Sequence, residues 1–316
     1  MDSIAGLLRG PRADGAFLIR TVMEPPWALR IADRSPLSVV VAVAGSTWVV
    51  PDDGAPVELR PGAVGVVTGE EPYLVADRPD TAPTVVIGPG QECRTLDGRP
   101  LREELALGVR TWGNSATGSH VMLTGTYETV PVTGRRLLAA LPRVLHLDDG
   151  DVDPALLRLL AAEISRDGLA QDLVLDRLLD LVLMVGVRSW LHRDGPSAPA
   201  WCRAHADPEV GRALRLLQRA PERHWTVAEL AAGVGMSRSG LAQRFTELVG
   251  EPPMSYLTGW RLEVAADRLA TSGDTIGAVA AEVGYGSPFA LSTAFKRRYG
   301  LSPHQYRQQL AGAGRR

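Results

Sequence analysis

Two stretches of the chain carry the same residue types in the same order. Thr226-Val-Ala-Glu-Leu-Ala-Ala-Gly-Val-Gly235 aligns with Thr275-Ile-Gly-Ala-Val-Ala-Ala-Glu-Val-Gly284 at an offset of 49. After one slip in the turn the offset becomes 50: Ser237/Ser287, Leu241/Leu291, Phe245/Phe295, Gly250/Gly300, Pro253/Pro303 and Tyr256/Tyr306. Eleven identities with a single slip mark an internal duplication. Each copy supplies a Thr N-cap, small alanines that admit a crossing helix, and a Gly turn suited to positive φ. A second helix, starting at Ser237 or Ser287, then buries Leu and Phe at i, i+4. The chemistry of such a unit is recognition. A helix-turn-helix turns the open side of its second helix to base edges and phosphates in a DNA major groove. A hairpin used only for packing accounts for one such copy, less well for two.

Catalytic chemistry has few candidates. Residues 1–145 hold one histidine, His120, whereas metal-dependent oxygenase or isomerase chemistry needs several imidazoles converging on one interior. Cys93 and Cys202 are too few for a disulfide scaffold and lack metal-ligand spacing, and nothing around them points to a lowered thiol pKa. The expectation is no catalytic residue, no metal, no cofactor and no enzyme. Trp27, Trp48, Tyr73, Trp112, His120, Met122 and Tyr127 are the candidates to line an apolar effector cavity, against the alternative of a filled core.

The elements that must position these residues follow from pattern. Val-rich runs at Ser38–Ala44, Thr47–Val50, Val64–Thr68, Tyr73–Val75, Thr84–Ile87, Leu105–Trp112 and His120–Tyr127 alternate with Gly, Pro and Asp turns. They predict an antiparallel sandwich or barrel over 15–130. Asp153 and Pro154 open a helix to about Arg166, and a second runs over Ala170–Arg193. These two Leu-rich helices either pack on the strands or provide a dimer seam. Asp194-Gly-Pro-Ser-Ala-Pro199 reads as linker, and helix follows from about Asp207. Between the repeats, about 18 helical residues span roughly 27 Å, against about 34 Å between successive major grooves.

The net charge of −2 hides an asymmetry. Residues 205–316 carry 14 Lys and Arg against 10 Asp and Glu, whereas residues 1–204 carry 20 against 26. A basic segment beside an acidic one points to nucleic acid, and the acidic part argues against an anionic effector. Apolar runs are too short to span a bilayer and the N-terminus has no secretory pattern, so a cytoplasmic, nucleoid-associated protein with no membrane partner is expected.

The last third resembles the AraC/XylS family of transcription regulators. The resemblance rests on Trp225-Thr-Val-Ala-Glu-Leu-Ala231, Gly235-Met-Ser-Arg-Ser-Gly-Leu-Ala-Gln-Arg-Phe245, Gly250-Glu-Pro-Pro-Met-Ser-Tyr256 and Trp260-Arg-Leu262. Val279-Ala-Ala-Glu-Val-Gly-Tyr285, Phe295-Lys-Arg-Arg-Tyr-Gly300 and Ser302-Pro303-His-Gln-Tyr306 extend it. The N-terminal part resembles the cupin-type sensor of one branch, through its strands, Gly125-Thr-Tyr127 and Leu137-Leu-Ala-Ala-Leu-Pro142. The usual Gly-x-x-His of such domains reads Gly69-Glu-Glu-Pro-Tyr73 here.

The resemblance implies an α+β, multi-domain chain: a cupin-like β-barrel sensor over 1–145, a helical dimerisation segment over 146–193 and a linker over 194–207. An all-α domain over 208–316 follows, with helix-turn-helix motifs at 226–249 and 275–299. It implies base-reading positions at Arg238, Ser239, Ala242 and Gln243 in the first copy, and Pro288, Phe289, Ser292 and Thr293, beside Ser287, in the second. Side-chain chemistry agrees: Gln243 pairs with adenine, Arg238 reads guanine or holds a phosphate, and Ala242 and Phe289 suit a thymine methyl. Arg244, Lys296, Arg297 and Arg298 read as phosphate contacts or solvated helix face. The expected partners are promoter DNA, a second copy, a small effector and, for an activator, RNA polymerase. Two other readings compete: a metal-independent cupin-type enzyme with an auxiliary DNA-binding domain, and a ligand-independent architectural protein.

Overall fold

The computed structural model describes residues 16–130, 132, 134, 138, 139, 141–193, 203–205 and 207–313. Cys202, residues 194–202 and 206 of the expected 194–207 linker, and Leu137 and Ala140 of the quoted motif lie outside them. The chain divides into two compact units, one built on 11–130 and 138–194 and one on 195–316 together with 131–137. The short 131–137 segment was not expected in the second unit. There the Val132 amide donates to Asp267 Oδ1 at 2.6 Å.

The first unit holds thirteen named strands: β1 (Phe17–Met23), β2 (Ala28–Ile31), β3 (Leu37–Ala44), β4 (Thr47–Pro51), β5 (Val57–Leu59), β6 (Val64–Thr68), β7 (Tyr73–Ala76), β8 (Val85–Gly88), β9 (Glu92–Thr95), β10 (Ala106–Gly108), β11 (Thr111–Gly113), β12 (His120–Tyr127) and β13 (Val144–Leu147). They form a seven-stranded sheet, β10-β11-β1-β12-β3-β6-β13, and a six-stranded sheet, β5-β4-β7-β2-β8-β9. This corrects the expected barrel, because among the described residues no ladder of hydrogen bonds joins the two sheets into a closed ring. It also corrects the purely antiparallel reading: β1 runs parallel to β11, and β2 parallel to β8. Inward side chains from both sheets build one core, including Met23, Leu29, Val40, Val67, Val75 and Trp112. The run predicted over Leu105–Trp112 is broken into β10 and β11, with Arg110 between them in the left-handed region at φ 44°.

Two helices complete this unit, α1 (Pro154–Ile164) and α2 (Gln171–Arg193). Asp153 caps α1 by accepting from the Ala155 amide at 2.8 Å. α2 lies close on β12 because Gly125 leaves room: a Cβ there would run into the Leu179 side chain. Alongside, the buried Tyr127 hydroxyl donates to Asp180 Oδ1 at 3.1 Å. Burial pushes the Tyr127 phenol well above its ordinary pKa, and the neighbouring Asp180 carboxylate adds to this.

The second unit is helical: α3 (Pro208–Arg219), α4 (Val227–Val234), α5 (Arg238–Val249), α6 (Pro253–Thr271), α7 (Ile276–Glu282), α8 (Pro288–Tyr299) and α9 (Pro303–Ala313). Both duplicated turns form as their residues predict. Thr226 and Glu229 make a full capping box, and Thr275, Ser237 and Ser287 cap their helices. Gly235 and Gly284 take left-handed backbone at φ 77° and 80°. The duplication extends to packing. Phe245 meets Tyr256 edge-on at 5.8 Å between ring centroids, and Phe295 meets Tyr306 the same way at 5.3 Å. Among the described residues no helix is long and apolar enough to cross a membrane.

Phe295 is fully buried and Phe289, six positions earlier, is 81% exposed. Phe295→Ala is therefore expected to destabilise the helical unit by about 3–5 kcal/mol. Phe289→Ala should change it by less than about 0.5 kcal/mol. Urea titration followed by far-UV circular dichroism compares the two.

Candidate nucleic-acid interface

The reading face is built by what the opposite face buries. In α5, Leu241 and Phe245 are fully buried; in α8, Leu291 and Phe295 are. Helical geometry then turns Arg238, Ser239, Gln243 and Arg244 of α5, and Pro288, Phe289, Thr293, Lys296 and Arg297 of α8, to solvent. Ala242 and Ser292 sit half-buried at the edge of the same faces, and Ser287 is exposed at the start of α8. The expected positions thus come together as two exposed strips, one on each second helix. Ser287 is partly committed, since its hydroxyl oxygen accepts from the Ala290 amide at 3.2 Å.

Hydrogen bonding separates these residues into two groups. Among the described residues Arg238, Lys296 and Arg297 form no ion pair. Gln243 is pre-oriented: its Nε2 donates to Glu247 Oε1 at 2.9 Å, one turn further on. Arg244 is engaged structurally. Its Nε and Nη2 donate to Asp207 Oδ2 at 2.9 and 2.6 Å. Asp207 in turn caps α3, accepting from the amides of Glu209 and Val210. Burial alone would raise the Asp207 pKa, but the Arg244 bond and the two amides outweigh it and hold the carboxyl below the ordinary aspartate value.

The spacing of the two strips depends on α6, whose 19 residues span about 28 Å. Arg261, in the middle of α6, donates from Nε to the Pro221 carbonyl at 2.6 Å and from Nη2 to the Arg223 carbonyl at 2.9 Å. Sequence reasoning had no role for Arg261. Its only signal was its place in Trp260-Arg-Leu262, whose partners are backbone atoms invisible in a residue pattern.

The strand unit contains a second feature, a cavity of about 430 Å³ between its two sheets. This is within the usual range for small-molecule sites. Of the residues predicted to line such a space, Tyr73, Trp112 and Met122 do so. Trp27, Trp48, His120 and Tyr127 are not among its walls. Trp27 is buried and stacks edge-on against His120 at 5.8 Å, and Tyr127 bonds to α2. Cys93 faces the cavity, and burial pushes its thiol up to about 11. The prediction omitted Asp33, Gln91, Arg102 and Arg110, which also line it. Arg110 stands at the break between β10 and β11, where strand alternation gives no signal. Asp33 comes from a loop and Gln91 from a three-residue 3-10 turn, Pro89–Gln91, and neither carries such a period.

Residues 2–192 match the family described as Cupin, and residues 230–309 the family described as Helix-turn-helix domain. The chain is 33% identical over 289 residues to a putative AraC-like transcription regulator of Streptomyces lividans, covering 89% of this chain and 90% of that protein. It is 37% identical over 317 residues to the HTH-type transcriptional regulator AlkR of Acinetobacter baylyi, covering 98% of this chain and 100% of that protein. Among solved structures, the DNA-binding domain of AdpA, a global transcriptional factor in complex with a target DNA, is 34% identical. The match covers 34% of this chain and 96% of that one, with a TM-score of 0.32.

Because the Asp207 carboxyl titrates below its ordinary value of 3.8, its ion pair stabilises the folded unit above that pH. The stabilisation is lost as the pH falls through the lower folded-state value. Arg244→Ala should lower stability only modestly, because the guanidinium is half-exposed and solvent screens the pair. That deficit, measured by urea unfolding, should be present at neutral pH and vanish in acid.

Proposed function

The chain belongs to the AraC family of DNA-binding transcription regulators, and from that premise we propose that it acts as an effector-responsive dimer that sets two recognition helices per chain into adjacent major grooves. The observation that carries the proposal is the repeated exposed strip on α5 and α8, each backed by a fully buried Leu and Phe. In this reading Arg238, Ser239, Ala242 and Gln243 read bases from α5. Glu247 holds the Gln243 amide, so that its second N–H and its carbonyl oxygen remain for the two-point pairing that adenine offers. Ser287, Pro288, Phe289, Ser292 and Thr293 make shape and apolar contacts from α8. Lys296 and Arg297, free of ion pairs, take phosphates. Arg244 contributes by fixing α5 against α3.

The remaining assignments follow the domain order. Residues 1–145 sense, 146–193 dimerise, 194–207 link and 208–316 bind DNA. Self-association is supported by Leu159 on α1 and Leu173, Val174 and Leu181 on α2, large apolar side chains left 42–61% exposed. The cavity between the sheets supports an effector, whose occupancy changes how the DNA-binding region is presented. An activator of this design also meets RNA polymerase, in the cytoplasm.

Selection from randomised duplexes tests the reading. Each chain should enrich two base clusters about one helical turn apart. Gln243→Ala should relax one position by about 1–3 kcal/mol of discrimination. Lys296→Ala should weaken all sequences alike and reduce the salt slope by about one. A single enriched cluster, or uniform weakening by Gln243→Ala, would overturn it.

A further inference from the structure

The cavity's wall chemistry narrows what it binds, given the reading above that it is a ligand site. Its body is apolar, formed by Ile19, Leu29, Val75, Ile87, Trp112 and Met122. Two arginines line the same space, Arg102 and Arg110. Among the described residues Arg102 forms no ion pair. Arg110 is placed by a left-handed backbone at φ 44°, a conformation that a non-glycine residue keeps only when its surroundings enforce it. Its Nη1 donates to the Leu18 carbonyl at 3.4 Å, and its Nη2 to the Asp172 carboxylate. Asp172 is 71% exposed, so solvent screens the pair and a competing anion can displace it. The carboxylate on the cavity wall, Asp33, is already occupied. It accepts from the Ser35 amide and hydroxyl and from Gln91 Nε2, at 3.1, 2.9 and 2.7 Å.

We propose that this cavity binds a small amphipathic carboxylate, with its apolar body between the sheets and its head group on Arg102 and Arg110. The acidity of residues 1–204 argued against an anion, but charges beyond about 8–10 Å are largely screened, so groups on the wall decide. The head group competes with Asp172 for Arg110. Asp172 lies in the first turn of α2, next to the exposed Leu173 and Val174. Binding therefore releases the start of α2 from the cavity wall. Ligand chemistry is thereby connected to the apolar face offered for self-association.

Isothermal titration of the full-length protein tests this with matched acid, alcohol and amine probes: decanoate, 1-decanol and decylamine, and 4-phenylbutyrate with 4-phenylbutanol. At least one acid should bind about tenfold more tightly than its alcohol, the difference a charge-assisted bond provides. Arg102→Gln, on an exposed side chain, should abolish that preference. Asp172→Asn should tighten acid binding about threefold by removing the competitor. If alcohol or amine binds as tightly as acid, or the preference survives Arg102→Gln, the carboxylate assignment fails and the cavity remains a ligand site. If no probe of either series binds, the reading of the cavity as an effector site fails with it.

Discussion

One helix closes two cores. α6 buries Tyr256, Leu257 and Trp260 toward its start and Leu262, Ala265, Ala266 and Leu269 toward its end. The later group joins Val279, Leu291 and Phe295 of the second copy in one cluster. Each fully buried large apolar side chain stabilises by about 1.5–3 kcal/mol, so α6 cannot rotate or shift without loss in both halves. Its ends therefore hold α5 and α8 at a fixed separation. The small residues matter as much as the large ones. Ala265, Ala266 and Ala280 are fully buried, and larger side chains there would force the helices apart. Arg261 adds a polar tie from the same helix to the carbonyls of Pro221 and Arg223.

This architecture was legible because the duplication wrote it twice. A Thr cap, a Gly of positive φ and a Ser cap within a dozen residues leave little freedom in local backbone. The structure realises each of them at Thr226, Gly235 and Ser237 and again at Thr275, Gly284 and Ser287. Exposure of the strip on α5 followed from burial of Leu241 and Phe245 by helical period alone. Partner choice among long side chains did not follow. Arg238 and Arg244 both read in sequence as residues able to meet DNA, yet Arg244 reaches Asp207, 37 positions away, while Arg238 forms no ion pair among the described residues. Nothing local encodes such a bond.

The strand unit was less legible for a related reason. Alternation within a strand is local, and β6 and β12 have the predicted bounds. Which strands pair is not local. β5 and β10 are three residues each, too short to show a period, and β13 follows the point where the pattern turns helical. The parallel pairings of β1 with β11 and β2 with β8 depend on connections that strand pattern does not specify. The cavity inherits this uncertainty. Tyr73, Trp112 and Met122 could be picked as large inward residues, but Trp27 fills core instead, and Asp33 and Gln91, outside the strands, were invisible.

Net charge says little here until it is resolved by position. Of the basic residues on α5 and α8, Arg244 is neutralised by a buried carboxylate that also caps a helix, which removes it from the charge available to a polyanion. Arg238 near the start of α5, and Lys296 and Arg297 in the last turn of α8, are left without ion pairs among the described residues. A modest basic excess in residues 205–316 is thus concentrated on two faces held apart by α6. The same reasoning applies in the acidic part of the chain, where Arg102 and Arg110 meet an apolar cavity. In both units, a few arginines and one lysine act through placement, and the fold determines which of them remain free to meet a partner.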